Sequence, residues 1–467
     1  MSDRSKVVTV YGRTLHFDDK VFAVDDLFDK DFYSFTNKIA DNFYNDTYGV
    51  NEIYDNVVQD YLALNEFVKN NGSIIDNVSV SKATPDVRFY LIDICRNNGV
   101  RIKGKKLFEA FFTKVKYAAY HFSSFLYLAY LMAKIPYTKE EIHKTNKFSV
   151  LRYPANFTKT KNFTDIYKEY ENPYEKKSIY RFFPRVSRIG WVVKAYIVSF
   201  RSLAKQKSFY KPLLGKWSVL ALNNFYKKRI VHAELFKLLL ENYFPYFSGE
   251  TYYSVYNLDR FSIIEDQVAH KNNIKTYNLP HGIEYGFKYP KGFSSDIFYA
   301  LTEHSANVLN HLYNTDKFVF DQTVASKLLK RENSTKHEPH IVFFTEPREV
   351  NVNIEIIKGL TPQLKKRGWR LYLKLHPGDK KSDYDNLDVD FLTDYNEALC
   401  GNVCISRKST ILLEAIYNDS VPISIITNVK DQTIYDNFPS LQSDKIIQTH
   451  TIKELMAEIE KNYSLNN

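Results

Sequence analysis

Three stretches of the chain hold residues whose types and spacing suit work on a phosphate-bearing ligand. The first, Leu371-Tyr372-Leu373-Lys374-Leu375-His376-Pro377-Gly378-Asp379, reads as a short buried strand stopping on a His-Pro pair. Proline has no N–H and fixes φ, so the strand ends there. The imidazole of His376 is left at the carboxyl end of a strand, where ligands bind in open α/β sheets. The second, Val403-Cys404-Ile405-Ser406-Arg407-Lys408-Ser409-Thr410, reads as a strand running into a helix. Amides at a helix start and the hydroxyls of Ser406, Ser409 and Thr410 are donors for phosphate, and Arg407 and Lys408 add positive charge. Plain helix capping by Ser409 or Thr410 is the simpler alternative. Glu414 follows Thr410 by four residues and shares its helix face, as a ribose-binding carboxylate or as a solvated helical Glu. The third stretch, Ile274 to Gly282, ends Leu279-Pro280-His281-Gly282. Gly282 lets the backbone turn close to a ligand. His281 is the type of residue that serves as a general base near pH 7, or as a hydrogen-bonded structural histidine. Glu284 is the alternative base, and Asp259 and Glu265 rank below both.

The elements around these stretches alternate. From Tyr252 onward short apolar runs and amphipathic segments follow one another, a βαβ rhythm that implies parallel sheets. A charged link from Lys330 to Glu338 separates two such series. The expected fold class is α/β, with two Rossmann-like domains and a cleft between them. Residues 1–330 form the first domain, enlarged by helical and aromatic insertions. Residues 338–450 form the second, and 451–467 a C-terminal helix. Gly368, just past a helix ending in Lys and Arg, suits a C-cap. In the N-terminal part, Lys6–Val10 and Val21–Val24 read as strands joined by a polar link, Tyr11–Lys20. Tyr117–Ala133 is the most membrane-like stretch, at the short limit for a span, and is expected to be a buried or surface-lying helix. The cationic-aromatic run Lys205–Lys211 is flanked by two segments that read as helices. Such mixtures lie on anionic membrane surfaces or form a solvated helix face.

Composition narrows the class. The chain has 467 residues, a formal net charge of +10 and 16% aromatic residues. A basic surface favours anionic partners such as nucleotide phosphates, acidic glycans or lipid headgroups. No nucleic-acid module of the usual types is present, so nucleic acid is not an expected partner. Cys95, Cys400 and Cys404 form neither a disulfide framework nor a zinc pattern and fit a reducing cytosol. Asp388-Val389-Asp390 has metal-pair spacing but falls where acidic residues alternate along an exposed strand, so no metal and no cofactor are expected. No P-loop, Gly-x-Gly-x-x-Gly or Gly-x-Ser-x-Gly occurs.

A strand ending His281-Gly282, a later Leu375-His376-Pro377, and the helix start Ser409-Thr410-Ile411-Leu412-Leu413-Glu414-Ala415 together resemble bacterial GT-B glycosyltransferases of surface-polysaccharide synthesis. The pattern is shared in part by sialyl- and polysialyltransferases, capsule Kdo transferases and teichoic-acid CDP-glycerol polymerases, and it covers roughly Tyr252 to Ile426. Bacterial sialyltransferases carry an acidic pair before glycine where this chain has Leu279-Pro280-His281-Gly282. Ser406-Arg407-Lys408-Ser409 likewise departs from a plain Ser-Ser/Thr. The resemblance implies a metal-independent transferase in the cytoplasm or peripheral at the inner membrane. His376, Pro377, Ser406, Lys408, Ser409, Thr410 and Glu414 would hold a nucleotide-activated donor, with a CMP-activated nonulosonate such as sialic acid or Kdo the best guess. His281 or Glu284 would deprotonate a hydroxyl of a glycan or lipid-linked acceptor. A CDP-glycerol glycerophosphotransferase, a non-catalytic glycan-binding or assembly protein and a sugar epimerase of the same architecture are the competing classes.

Overall fold

The computed structural model describes residues 7–27, 30–42, 53–104, 107–137, 147–148, 179–227, 229–246, 251–254, 260–280, 282, 284–290, 295–331, 338–347 and 349–463. The chain divides into two compact units. The first carries the elements up to Leu279, and the second carries Pro280–Gly286 and everything from Ile297 onward.

The first unit opens on strands β1 (Val7–Gly12), β2 (Thr14–Phe17) and β3 (Lys20–Ala23), an antiparallel meander. β4 (Asn77–Ala83) pairs in parallel with β1 and β5 (Arg101–Lys103) with β4. The link Tyr11–Lys20 is therefore mostly strand, because Leu15 and Phe17 alternate inward and are buried. Asp18 and Asp19 both have positive φ, the conformation a two-residue hairpin turn requires. Further strands β6 (Lys147–Phe148), β7 (Thr251–Ser254) and β8 (Lys275–Asn278) pair in parallel.

Helices dominate the rest of this unit. Leu107–Lys134 is one helix, and among the described residues no helix is long and apolar enough to cross a membrane. Arg185–Lys227 takes in the run Lys205–Lys211 as helix. Leu203, Gln206, Tyr210 and Leu214 are all buried along it at helical spacing, so packing holds the helix through the charged run. The helix breaks at Gly215, where φ is +76°. Behind the break the Asp93 carboxylate accepts from the amides of Trp217 and Ser218, both at 2.6 Å, and caps the second half.

The second unit begins with parallel strands β9 (Ile297–Ala300) and β10 (Phe318–Phe320). Helices Glu303–Tyr313 and Gln322–Leu329 follow them, capped by Thr302 and Asp321. Its main sheet comprises β11 (Ile341–Phe344), β12 (Leu371–Lys374), β13 (Asp390–Phe391), β14 (Val403–Ser406), β15 (Val421–Ile425) and β16 (Ile447–Thr449). The order is β13-β12-β11-β14-β15-β16 and every pairing is parallel. Ile341, Phe343, Leu373 and Ile405 pack with Ile356 and Leu360 of helix Val350–Lys365 and Leu455 of helix Ile452–Tyr463. Gly368, at φ +74°, ends the first of these helices, and the amide of Trp369 returns to the carbonyl of Leu364 at 3.0 Å. The α/β class is the one expected, and the separate sheet-and-helix regions are consistent with a two-domain GT-B-like architecture.

Candidate functional site

Strand order fixes where this second unit can take a ligand. The chain starts at β11, steps outward through β12 and β13, then returns to the other side of β11 for β14, β15 and β16. This is the doubly wound dinucleotide-binding order, and its switch point lies between β11 and β14, at the carboxyl ends of the strands. Thr345 to Pro347 leave β11 there, Leu375 to Asp379 leave β12, and Arg407 to Thr410 leave β14. Two of the three stretches singled out in the sequence therefore share one sheet edge.

His376 is exposed there and its surroundings are held by Thr345. The amide of His376 donates to Thr345 Oγ1 at 2.9 Å, and that hydroxyl donates to Asp379. The amide of Gly378 donates to His376 Nδ1 at 3.0 Å. A ring nitrogen that accepts carries no proton, so the N–H of this ring is at Nε2. A Cβ on Gly378 would lie 3.3 Å from Nδ1 and 3.3 Å from Pro347, so glycine keeps that turn close. Asp379 Oδ1 is buried with no partner, an unmet acceptor next to the histidine turn. Pro377 is exposed in the same turn.

The loop after β14 is organised by ions. Ser406 is buried and donates to the carbonyl of Phe344 at 3.2 Å. The amide of Lys408 donates to Glu346 Oε1 at 2.6 Å. The guanidinium of Arg407 is 1% exposed and pairs with Glu349 and, at 2.8 Å, with Asp431. The ammonium of Lys408 lies 2.5 Å from Asp431, 3.1 Å from Glu349 and 3.2 Å from Glu346. Lys430 adds a 3.0 Å pair to Glu349. Burial alone would raise the Glu349 carboxyl; the charge of Lys408, the bond from Lys430 and the charge of Arg407 outweigh it and hold its pKa down at about 2. Burial pulls Arg407 down, and the carboxylates of Glu346, Asp431 and Glu349 more than offset it, so the guanidinium stays charged. Lys408, assigned to the donor phosphate in sequence, thus directs its charge into this cluster.

Ser409 and Thr410 are half-buried. Thr410 occupies the cap position of helix Ile411–Ile416 but its hydroxyl makes no capping bond, while Ser409 Oγ accepts from the amide of Ile411 at 3.4 Å. A Cβ on Gly282 would sit 3.8 Å from Thr410 Oγ1, so Gly282 lies beside this hydroxyl. Glu414 accepts from Arg331 at 2.6 Å and from Tyr395 at 2.9 Å, both on Oε2. Burial first, and the Glu414 charge second, push the Tyr395 phenol well up, so it stays a donor.

Other sequence candidates fall elsewhere. His281 and Asp259 lie outside the described residues. Glu284 is 2% exposed and accepts from the Leu301 amide at 3.0 Å, from Ser305 at 3.1 Å and from Ser440. Burial raises its pKa, with the bond from Ser440 the leading opposing effect. Glu265 is buried in the first unit and accepts from Ser254 at 2.7 Å. Asp388 and Asp390 face solvent in ion pairs with Lys365 and Arg370. Sequence reasoning missed Thr345, Glu346, Glu349, Tyr395 and Asp431. The available signals were a strand ending Thr345-Glu346-Pro347 and the helix start Asn428-x-x-Asp431, where Asn428 accepts from the Asp431 amide at 2.9 Å.

Neither a protein-family model nor a functionally described protein matches the sequence. Among solved structures, the chain is similar to the UDP-GlcNAc 2-epimerase of Methanocaldococcus jannaschii at 13% identity and TM-score 0.38, over 50% of this chain and 75% of that one. It is similar to the UDP-N-acetylglucosamine 2-epimerase of Rickettsia bellii at 12% identity and TM-score 0.34, over 69% and 98%. A third similarity, at 11% identity and TM-score 0.33, is to accessory secretory protein 1,2 and 3 of Streptococcus pneumoniae, over 50% of each chain.

Proposed function

We propose that the protein is a GT-B glycosyltransferase that moves a sugar from a nucleotide-activated donor to a hydroxyl of a bacterial surface glycan. The observation that carries this reading is His376: an exposed imidazole at the carboxyl edge of a doubly wound sheet, held by Gly378 and Thr345 with Nδ1 accepting, which leaves Nε2 as its donor. Donors aimed at a leaving phosphate favour departure of the nucleotide, because they stabilise charge that grows in the transition state. The hydroxyls of Ser409 and Thr410 add neutral donors beside β14, and Glu414 Oε1 accepts from a ribose hydroxyl. Arg407 and Lys408 act differently from the sequence expectation. They shape the loop through Glu346, Glu349 and Asp431 and leave phosphate recognition to uncharged groups.

His281 is the proposed general base toward the acceptor hydroxyl. Glu284 is less suited, since its oxygens already accept three bonds in a buried setting. The donor is a CMP-activated nonulosonate such as sialic acid or Kdo, and the acceptor a capsule or lipopolysaccharide chain. A panel of CMP-, CDP- and UDP-activated donors, read by nucleotide release with and without acceptor glycans, tests this. Release that needs acceptor supports transfer. Conversion of free nucleotide sugar without acceptor identifies an epimerase instead, and turnover of CDP-glycerol alone identifies a glycerophosphotransferase.

A further inference from the structure

In the first unit, helices Leu107–Lys134 and Arg185–Lys227 lie along one another. Their seam is aromatic. His121 Nε2 and Ser199 Oγ are 2.8 Å apart, and the rings of Phe125 and Tyr196 centre 4.6 Å apart. Burial, with the Lys227 charge second, pushes His121 down to about 4, so the seam stays uncharged near pH 7. Tyr117, His121, Leu128 and Met132 of the first helix and Val192, Ala195, Ser199 and Leu203 of the second face inward.

The opposite faces are apolar and uncovered. On the first helix Phe111, Val115, Phe122, Leu126 and Tyr130 are 62, 51, 50, 50 and 56% exposed. Their spacing of four, seven, four and four puts them on one stripe. On the second helix Val186, Val193, Ile197 and Phe200 are 84, 43, 58 and 49% exposed. Large apolar residues grouped this way on a surface mark an interaction site. Charge identifies the occupant. Arg185–Lys227 contains nine Lys and Arg and not one Asp or Glu. Lys194, Arg201 and Lys205, all exposed, follow Val193 and Phe200 round the helix by about 100° per residue, so a cationic row borders the apolar one. At one end Lys134 lies over the exposed ring of Tyr130, 4.6 Å from its centroid.

We propose that this two-helix face seats the protein in the interface of a bilayer containing anionic phospholipids. The apolar stripes enter the acyl boundary and the flanking cations meet headgroups, the arrangement of interfacial helices. Of the run that sequence alone suggests for it, only Lys205 takes part, since Tyr210 is fully buried and the exposed stripe runs through earlier turns. The inference does not depend on the donor chemistry proposed above, because nucleotide binding is measured separately in solution.

The test sediments the full chain with vesicles of phosphatidylcholine alone and of phosphatidylcholine with phosphatidylglycerol, at low and high salt. Binding is expected only with the anionic vesicles and weakens as salt rises. Lys194→Gln, Arg201→Gln and Lys205→Gln together should weaken binding about 100-fold, at about fivefold per cation near the surface. Val193→Asp with Ile197→Asp should abolish it, with melting temperature and nucleotide binding unchanged because both positions are exposed. Wild-type protein that stays in the supernatant, or variants that sediment as the wild type does, overturn the proposal. So does a wild-type dimer that the aspartates convert to monomer without any vesicle binding, which assigns the face to a second copy of the chain.

Discussion

His376→Ala probes the proposed donor side of the site most directly. The ring is exposed, so truncation leaves no cavity, and the bond from Gly378 is a surface bond. Substitutions at such positions change stability by roughly 0.5 kcal/mol or less. Melting should therefore match the wild type. On the proposed reading ligand binding should not, because the variant lacks the Nε2–H at the carboxyl edge of β12. A hydrogen bond to a charged phosphate contributes roughly 1.5–3 kcal/mol. At about 1.4 kcal/mol per factor of ten, nucleotide affinity should fall roughly tenfold to 150-fold. Calorimetric titration of CMP, CDP and UDP into both proteins measures this, and His376→Gln, with an amide N–H near the Nε2 position, should recover part of the loss. Thr345→Val should resemble a weaker form of His376→Ala, since it removes the hydroxyl that holds the histidine turn to β11. If His376→Ala binds every nucleotide as tightly as the wild type, the edge of this sheet is not the nucleotide site and the reasoning fails.

Turnover is expected to survive excess chelator, because Asp388 and Asp390 are tied to Lys365 and Arg370 at the surface; activity lost to chelator and restored by Mg²⁺ or Mn²⁺ would contradict this. Glu349 has a folded pKa of about 2, below its unfolded value, so it contributes stability above the ordinary carboxylate range that disappears as pH falls toward 2. That contribution is on the order of 2–3 kcal/mol, so Glu349→Gln should be less stable than wild type at pH 7 with the gap narrowing in acid, as urea titrations at several pH values would reveal. Gly215→Ala should destabilise the first unit by roughly 1–3 kcal/mol for the backbone alone, because φ +76° with ψ 179° is a conformation open essentially only to glycine. The added Cβ would also lie 2.9 Å from the Asp93 carboxylate, so a thermal melt unchanged from wild type would show that the break is not held as described.

Much of the second unit was legible because its signals are local. Proline after His376, alternating apolar runs and glycine at 368 each act within a few residues, so strand ends and a helix end could be read directly. The ion cluster could not. Arg407 and Lys408 meet Glu346, Glu349 and Asp431, which leave other strands or start another helix, and only the β11–β14 pairing brings those loops together. The same holds in the first unit. Lys205–Lys211 stands between two helical segments in the sequence, and it is the burial of Gln206 and Tyr210 against neighbours that shows one helix continuing through it. The polar link Tyr11–Lys20 hides a strand of two inward residues, too short to stand out before its partner strands are known.

The location of charge separates two roles that composition had merged. Lys and Arg exceed Asp and Glu by 64 − 54, or +10, a balance that suggests polyanion binding somewhere on the chain. At the sheet edge, Arg407, Lys408 and Lys430 are matched by Glu346, Glu349 and Asp431, so the named groups sum to zero. Buried pairs of this kind fix loop geometry more than they add affinity, since each charge is already neutralised. Helix Arg185–Lys227 alone contributes +9, with nine basic residues and no acidic one. The excess that marks an anionic partner therefore resides on the first unit beside an exposed apolar stripe. The proposed donor edge of the second unit would work with an imidazole N–H, two hydroxyls and a carboxylate.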